Sequence, residues 1–127
     1  DSTYLYTEPL SAIGLWVALE DATTTNGCLW ALPGQHTGPL KSRFRRCSSG
    51  LTTDVYDDSP WPMEHKIPLE VRQGTLIVLN GLCPHMSEAN RSSRSRHAYT
   101  LHVIDGACVY PADNWLQRGS DMPLKGF

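Results

Sequence analysis

The 127-residue sequence has no apolar run near the roughly 20 residues that a membrane-crossing helix needs, so no such helix is predicted. Charge of either sign is sparse. Charged residues make up 19% and the formal net charge is −2, which excludes the broad basic footprint that holds nucleic acid. Cysteine is scarce too. Cys28, Cys47, Cys83 and Cys108 are spread without a CxxC pair, so neither a disulfide scaffold nor a structural zinc site is predicted. Reduced thiols packed as small buried fillers are expected, in a cytoplasmic setting. No signal-peptide pattern and no methionine opens the chain. The sequence reads as one partial domain over 1–127, a piece of something longer. Amphipathic helical periodicity and internal repeats are also missing.

What remains is a globular β composition. Hydrophobic residues are 40%, and a chain of this length buries roughly two-thirds of its unfolded surface. Ten glycines and nine prolines cut it into short segments. Residues 3–7, 13–19, 28–32, 67–71, 75–79 and 98–104 read as strands, rich in β-branched and aromatic residues. Asn26-Gly27 is the strongest hairpin signal, and Gln73-Gly74 and Asn80-Gly81 are turns. Residues 34–65 read as a long irregular loop, with Lys41, Arg43, Arg45 and Arg46 as a basic cluster and Asp54, Asp57 and Asp58 as an acidic one. The segment Asn114-Trp115-Leu116 is expected to dock as one turn. Strands 13–19 and 75–79 are apolar on both faces, so each needs cover from another layer. The chain offers no helix for this, and a helical layer upstream of Asp1 is expected. Mainly β, a jelly roll (a double-stranded β-helix, cupin-like) lacking its N-terminal helices, is the predicted class.

The chemistry-bearing stretch is Asn80-Gly81-Leu82-Cys83-Pro84-His85-Met86-Ser87, followed by Arg94-Ser95-Arg96-His97-Ala98-Tyr99-Thr100-Leu101-His102. Residues i and i+2 of a strand share a face. His85 and Ser87 then point together, and Arg96, Ala98, Thr100 and His102 form an inward row. An inward arginine is costly unless an anion meets it, and a carboxylate taken bidentately is the natural partner. His102 is expected to be a satisfied core histidine and His36 a structural one. Other readings of the same residues stay open: His85 bonded to a carbonyl, Arg96 as part of an Arg91/Arg94/Arg96 surface cluster, Asp1 as a solvated terminus, Ser87 as a turn cap and Trp16 as plain core.

Residues 1–9, Glu20-Asp21-Ala22-Thr23, Asn26-Gly27-Cys28-Leu29-Trp30, Pro33-Gly34-Gln35-His36, His85 and Arg96 together resemble the phytanoyl-CoA dioxygenase family. The resemblance covers nearly the whole chain, loosest over 37–66. It implies an Fe(II)- and 2-oxoglutarate-dependent dioxygenase built on a 2-His-1-carboxylate triad of the form His-x-Asp with a distant His. Asp1 matches the Asp and His85 the distant His, while the first His falls two residues before Asp1 and outside the sequence. The resemblance further implies that Arg96 and Ser87 hold the far carboxylate of 2-oxoglutarate and that Trp16 lines its pocket. O2 is the other cosubstrate. The implied substrate is a small molecule, lipid-like or an acyl-CoA, met by residues 37–66. The basic cluster 41–46 could face its phosphates. The full-length protein is expected to be monomeric. The alternatives are an inactive fragment and a non-catalytic jelly-roll binding module.

Exposed outer apolar faces, with Leu15, Val17, Leu19, Tyr99, Leu101 and Val103, favour self-association. The isolated chain is therefore expected to be poorly soluble, and a high-yield monomer with one sharp melting transition would contradict this.

Overall fold

A computed structural model describes residues 1–126. Eight strands form in chain order: β1 Ile13–Ala18, β2 Leu29–Ala31, β3 Ser42–Cys47, β4 Gly50–Val55, β5 Ile67–Leu69, β6 Leu76–Asn80, β7 His85–Ser87 and β8 Ala98–Val103. Among the described residues, helix is limited to two single 3-10 turns, Gln35–Thr37 and Met63–His65. Antiparallel pairing makes a sheet of order β6-β1-β8, a second of order β5-β2-β7, and a separate hairpin β3-β4.

The core lies between the two three-stranded sheets, as a jelly roll requires. Trp16 and Ala18 of β1 and Leu79 of β6 meet Leu29 of β2 with Cys28 and Ala22, and Leu69 and Ile77 pack against them. Alternation along β1 turns Gly14, Trp16 and Ala18 inward and Ile13, Leu15 and Val17 outward. On the outer face of this sheet Ile13, Leu76, Val78, Tyr99 and Leu101 are exposed, while Leu15, Val17 and Val103 are half-buried. These strands are thus apolar on both faces, as the sequence indicates, and their outer face is bare in the chain described.

Three local expectations are corrected. Residues 3–7 form a turn instead of a strand, with the Tyr4 and Leu5 amides both donating to the Asp1 carbonyl at 2.9 Å. Asn26-Gly27 closes a turn, with Gly27 at φ 85°, but does not join a hairpin, because β1 and β2 belong to different sheets. The stretch 34–65 is not a loop throughout, since β3 and β4 pair from Ser42↔Val55 to Cys47↔Gly50. That hairpin is charged and not apolar, which hides it from hydrophobic periodicity. Its stability comes from Arg45 paired with Asp54, Arg43 paired with Asp113 and Lys41 paired with Asp57. The basic cluster is therefore largely spent on structural ion pairs.

The C-terminal segment docks where one turn was expected. The Arg46 amide donates to the Asp113 carbonyl at 2.7 Å, and the Arg46 Nε to the Trp115 carbonyl at 2.9 Å. Asn114 is fully buried. Its amide nitrogen donates to the Tyr6 carbonyl at 2.7 Å, and its oxygen accepts from Arg43 at 3.3 Å. One side chain thus ties the N-terminal turn, the hairpin and the tail together. Asn114→Ala leaves a buried carbonyl without a donor, which costs about 1–3 kcal/mol. Urea denaturation should show a lowered midpoint at unchanged slope.

Candidate functional site

The site begins with a carbonyl. Gly81, just after β6, accepts from the Asp1 amino group at 2.9 Å and from the Ser2 amide at 2.9 Å. Its own amide donates to the Ala12 carbonyl at 2.8 Å. A Cβ at position 81 would lie 2.5 Å from both the Ser2 Oγ and the Ala12 carbonyl oxygen, so only glycine allows this close approach. The arrangement sets Asp1 beside the start of β7, four residues on in the chain from Gly81.

There His85 Nε2 lies 3.7 Å from Asp1 Oδ1. The other ring nitrogen, Nδ1, is 2.9 Å from the Cys83 carbonyl. A carbonyl only accepts, so Nδ1 carries the proton and Nε2 presents its lone pair towards Asp1. Burial, more than the neighbouring positive groups, lowers the His85 pKa, and the Cys83 carbonyl opposes this. The neutral, ligating form is favoured at neutral pH. Asp1 is not a frayed terminus: its side chain is only 12% exposed.

Two features around Asp1 lie beyond the motif. His102 was expected to be a satisfied core histidine. It is instead 38% exposed at the side chain and brings Nε2 to 3.1 Å from Asp1 Oδ1. Gly14, paired across the sheet with His102, supplies the space for the carboxylate. A Cβ there would stand 2.5 Å from Asp1 Oδ2. That Oδ2 is buried and has no hydrogen-bond partner. Asp1 Oδ1, the oxygen that faces the neutral His85 lone pair, makes with it a donor pair that suits a divalent cation. Among the described residues no three His, Cys, Asp or Glu side chains form a ready-made cluster, so Asp1 and His85 are the two motif ligands at hand.

Arg96 and Trp16 come together. Arg96 stands just before β8, its guanidinium carbon 5.6 Å from the centre of the Trp16 ring. Its Nε is buried without a partner, which fits a carboxylate anion. Trp16 is buried, and its strand partner is Thr100. Ser87 lies two residues beyond His85 on β7, paired with Leu29, and is exposed.

A cavity of about 400 Å³ opens from Asp1 and His85. Trp30, Trp61, Leu40, Met63 and Leu82 give it an apolar lining, within the ordinary range for a small-molecule site. Lys41 Nζ sits 4.4 Å from the centre of the Trp61 ring, and Lys66 Nζ 4.6 Å from that of Trp30. Lys41 is held by Asp57 at 2.9 Å and Lys66 by Glu88 at 2.8 Å. Leu40, Lys41, Trp61 and Met63, all from residues 37–66, stand in this wall. Trp30, in the family motif but given no role from sequence, is the opposite wall.

The family described as Phytanoyl-CoA dioxygenase (PhyH) matches residues 1–98. A rice protein, Phytanoyl-CoA dioxygenase 1, is 50% identical over 122 residues, covering 93% of this chain and 42% of its own length. The Arabidopsis thaliana Phytanoyl-CoA dioxygenase is 45% identical over 119 residues, with the same two coverages. The mouse Phytanoyl-CoA dioxygenase domain-containing protein 1 is 43% identical over 129 residues, covering 98% of this chain and 44% of its own. The chain thus spans less than half the length of these relatives. Among solved structures, the non-heme alpha ketoglutarate dependent carbocyclase SnoK superposes with a TM-score of 0.71 at 26% identity, covering all of this chain and 51% of that one. EvdO2 from Micromonospora carbonacea, solved in complex with 2-oxoglutarate, gives 0.58 at 26% identity, covering 84% of this chain and 44% of that one.

A methyl group at the buried position 14 meets the Asp1 carboxylate, so Gly14→Ala should cost about 1–3 kcal/mol of stability. Its methyl group pushes the Asp1 carboxylate aside. Titration with Co(II), an oxygen-inert stand-in for Fe(II), should show affinity reduced about tenfold or more.

Proposed function

This chain belongs to the phytanoyl-CoA dioxygenase family, and on that premise we propose that the protein carrying it is an Fe(II)- and 2-oxoglutarate-dependent dioxygenase. It hydroxylates a small apolar substrate, lipid-like or an acyl-CoA. The observation that carries the reading is the meeting of Asp1 and His85, 84 residues apart in sequence and 3.7 Å apart in space, beside an unpartnered carboxylate oxygen. These are the Asp and the distant His of the family's iron motif.

Asp1 and His85 would hold the iron as the carboxylate and the distant histidine of the family's triad. Bound iron supplies the activation of O2, with 2-oxoglutarate oxidised to succinate and CO2. Arg96 takes the far carboxylate of 2-oxoglutarate, with Trp16 beside the guanidinium and the Ser87 hydroxyl as a second donor. The Cys83 carbonyl keeps His85 in its ligating tautomer throughout.

The apolar cavity orients the substrate's body next to the iron and keeps water away. Trp30 and Trp61 present flat faces, and the ammonium groups of Lys41 and Lys66 place positive charge on both walls. Each lysine already has a carboxylate partner. An anionic substrate group is taken by exchange with Asp57 or Glu88, which gives modest affinity and fast release.

The test is succinate release with Fe(II) and 2-oxoglutarate, from this chain and from a version extended upstream through the preceding histidine. Turnover is expected only in the extended version; failure of both to turn over or to bind 2-oxoglutarate would favour a binding module. In the active version His85→Ala should abolish turnover. Arg96→Ala should weaken 2-oxoglutarate about 10- to 100-fold, the value of a charge-assisted pair, with metal affinity unchanged.

A further inference from the structure

The arginine assigned to 2-oxoglutarate stands in a stretch without regular structure, between β7 and β8. A long cationic side chain on an irregular segment has much conformational freedom to lose on binding. Here the segment is held from outside. The Glu20 carboxylate, two residues past the end of β1, accepts from both neighbours of Arg96. The Ser95 hydroxyl donates to Oε1 at 2.8 Å, and the His97 amide donates to Oε2 at 2.8 Å. The His97 ring lies 3.1 Å from that same Oε2.

Two further bonds brace the same residues. The Leu19 amide donates to the His97 carbonyl at 3.0 Å. The Asn26 side-chain amide, itself buried, donates to the Ser95 carbonyl at 3.0 Å. Ser95 and His97 contact Glu20, while the Arg96 side chain between them lies over Trp16. Trp16 is on β1, four residues before Glu20. β1 and the turn after it therefore supply both the ring beside the guanidinium and the carboxylate that fixes its backbone.

We propose that Glu20 is the positioning residue for the 2-oxoglutarate arginine, gripping Ser95 and His97 so that Arg96 is aimed before the cosubstrate arrives. The inference rests on the reading of Arg96 given above. Glu20 touches neither cosubstrate nor metal. It acts by lowering the ordering cost of binding. The His97 amide, first, and the Ser95 hydroxyl hold its carboxyl at about 2, so the grip stays ionised across the working pH range.

The variants separate this role from a general structural one. Glu20→Ala removes both bonds. Glu20→Gln keeps them, because its carbonyl accepts from the His97 amide while its NH2 donates to the Ser95 oxygen. The experiment uses the full-length protein with Co(II) under nitrogen and measures 2-oxoglutarate and Co(II) affinities by calorimetry and His97 amide exchange by NMR. Glu20→Ala should weaken 2-oxoglutarate about tenfold, speed His97 exchange by at least as much, and leave Co(II) affinity unchanged. Glu20→Gln should stay within threefold of wild type on all three. If Glu20→Ala fails to fold, Ser95→Ala should give about threefold on 2-oxoglutarate with unchanged Co(II) affinity. Unchanged 2-oxoglutarate affinity in the soluble variant, or equal loss of both affinities, overturns the proposal. Arg96→Ala run alongside tells the two claims apart. No effect there overturns the cosubstrate reading itself, whereas a large effect there with none at Glu20 overturns the positioning role alone.

Discussion

The carbonyl of Gly81 is the hinge on which the site turns. It receives two donors from residues 1 and 2 while the Gly81 amide binds the Ala12 carbonyl. Three chain segments meet at one residue: the N-terminal turn, the lead-in to β1 and the lead-in to β7. Asp1 reaches His85 only through this junction. A side chain at position 81 would collide with two of the three segments, so backbone–backbone contact excludes any bulkier residue. The polar groups at the junction satisfy one another. This fixes a carboxylate at the mouth of the barrel without a helix or a disulfide.

A second constraint follows from where that carboxylate is set. It lies over β1 at Gly14, opposite His102 on β8, with one oxygen facing imidazole nitrogens and the other facing nothing polar. Burying an unpartnered charged oxygen is expensive in a domain of ordinary marginal stability. The Asn114 junction at the opposite end of the N-terminal turn supplies compensation, since its side-chain amide anchors that turn to the hairpin through Tyr6 and Arg43.

Much of the sandwich was legible because its strands bury apolar side chains in short runs bounded by Gly and Pro. Residues 13–19, 28–32, 67–71, 75–79 and 98–104 all contain strands within a residue or two of the expected bounds. The misread segments share a cause. The β3-β4 hairpin is held by ion pairs, some to a tail seventy residues away, and no local hydrophobic period reports such pairing. Residues 3–7 have β-like composition, yet the Tyr4 and Leu5 amides are captured by the Asp1 carbonyl, and the Thr3 and Tyr6 carbonyls accept from the Phe44 amide and the Asn114 side chain. His85 and Arg96 were marked by spacing and by the family resemblance, Asp1 and Trp16 by the resemblance alone, and His102 by its place on the inward row of β8. The approach of His102 to Asp1 and the part of Gly14 were not legible, because both depend on cross-strand register: Gly14 matters for the atom it lacks, and His102 for standing opposite it.

Charge pairing separates the two ends of the site. Lys41, Lys66, Arg43 and Arg45 each have an acid partner, so the cavity walls and the hairpin are close to electrically neutral. Arg96 is turned inward beside a buried indole, and its Nε has no partner. A paired lysine binds an anion only by giving up a carboxylate, which limits the gain. An unpaired, half-buried guanidinium gains the full charge-assisted interaction. The two ends therefore differ in what they offer an anion. The arginine favours tight retention of a carboxylate in one orientation, while the lysine-capped tryptophans favour weaker, exchangeable contact over an apolar surface. The difference arises because acids are spent on the lysines and the hairpin arginines and none is paired with Arg96 among the described residues.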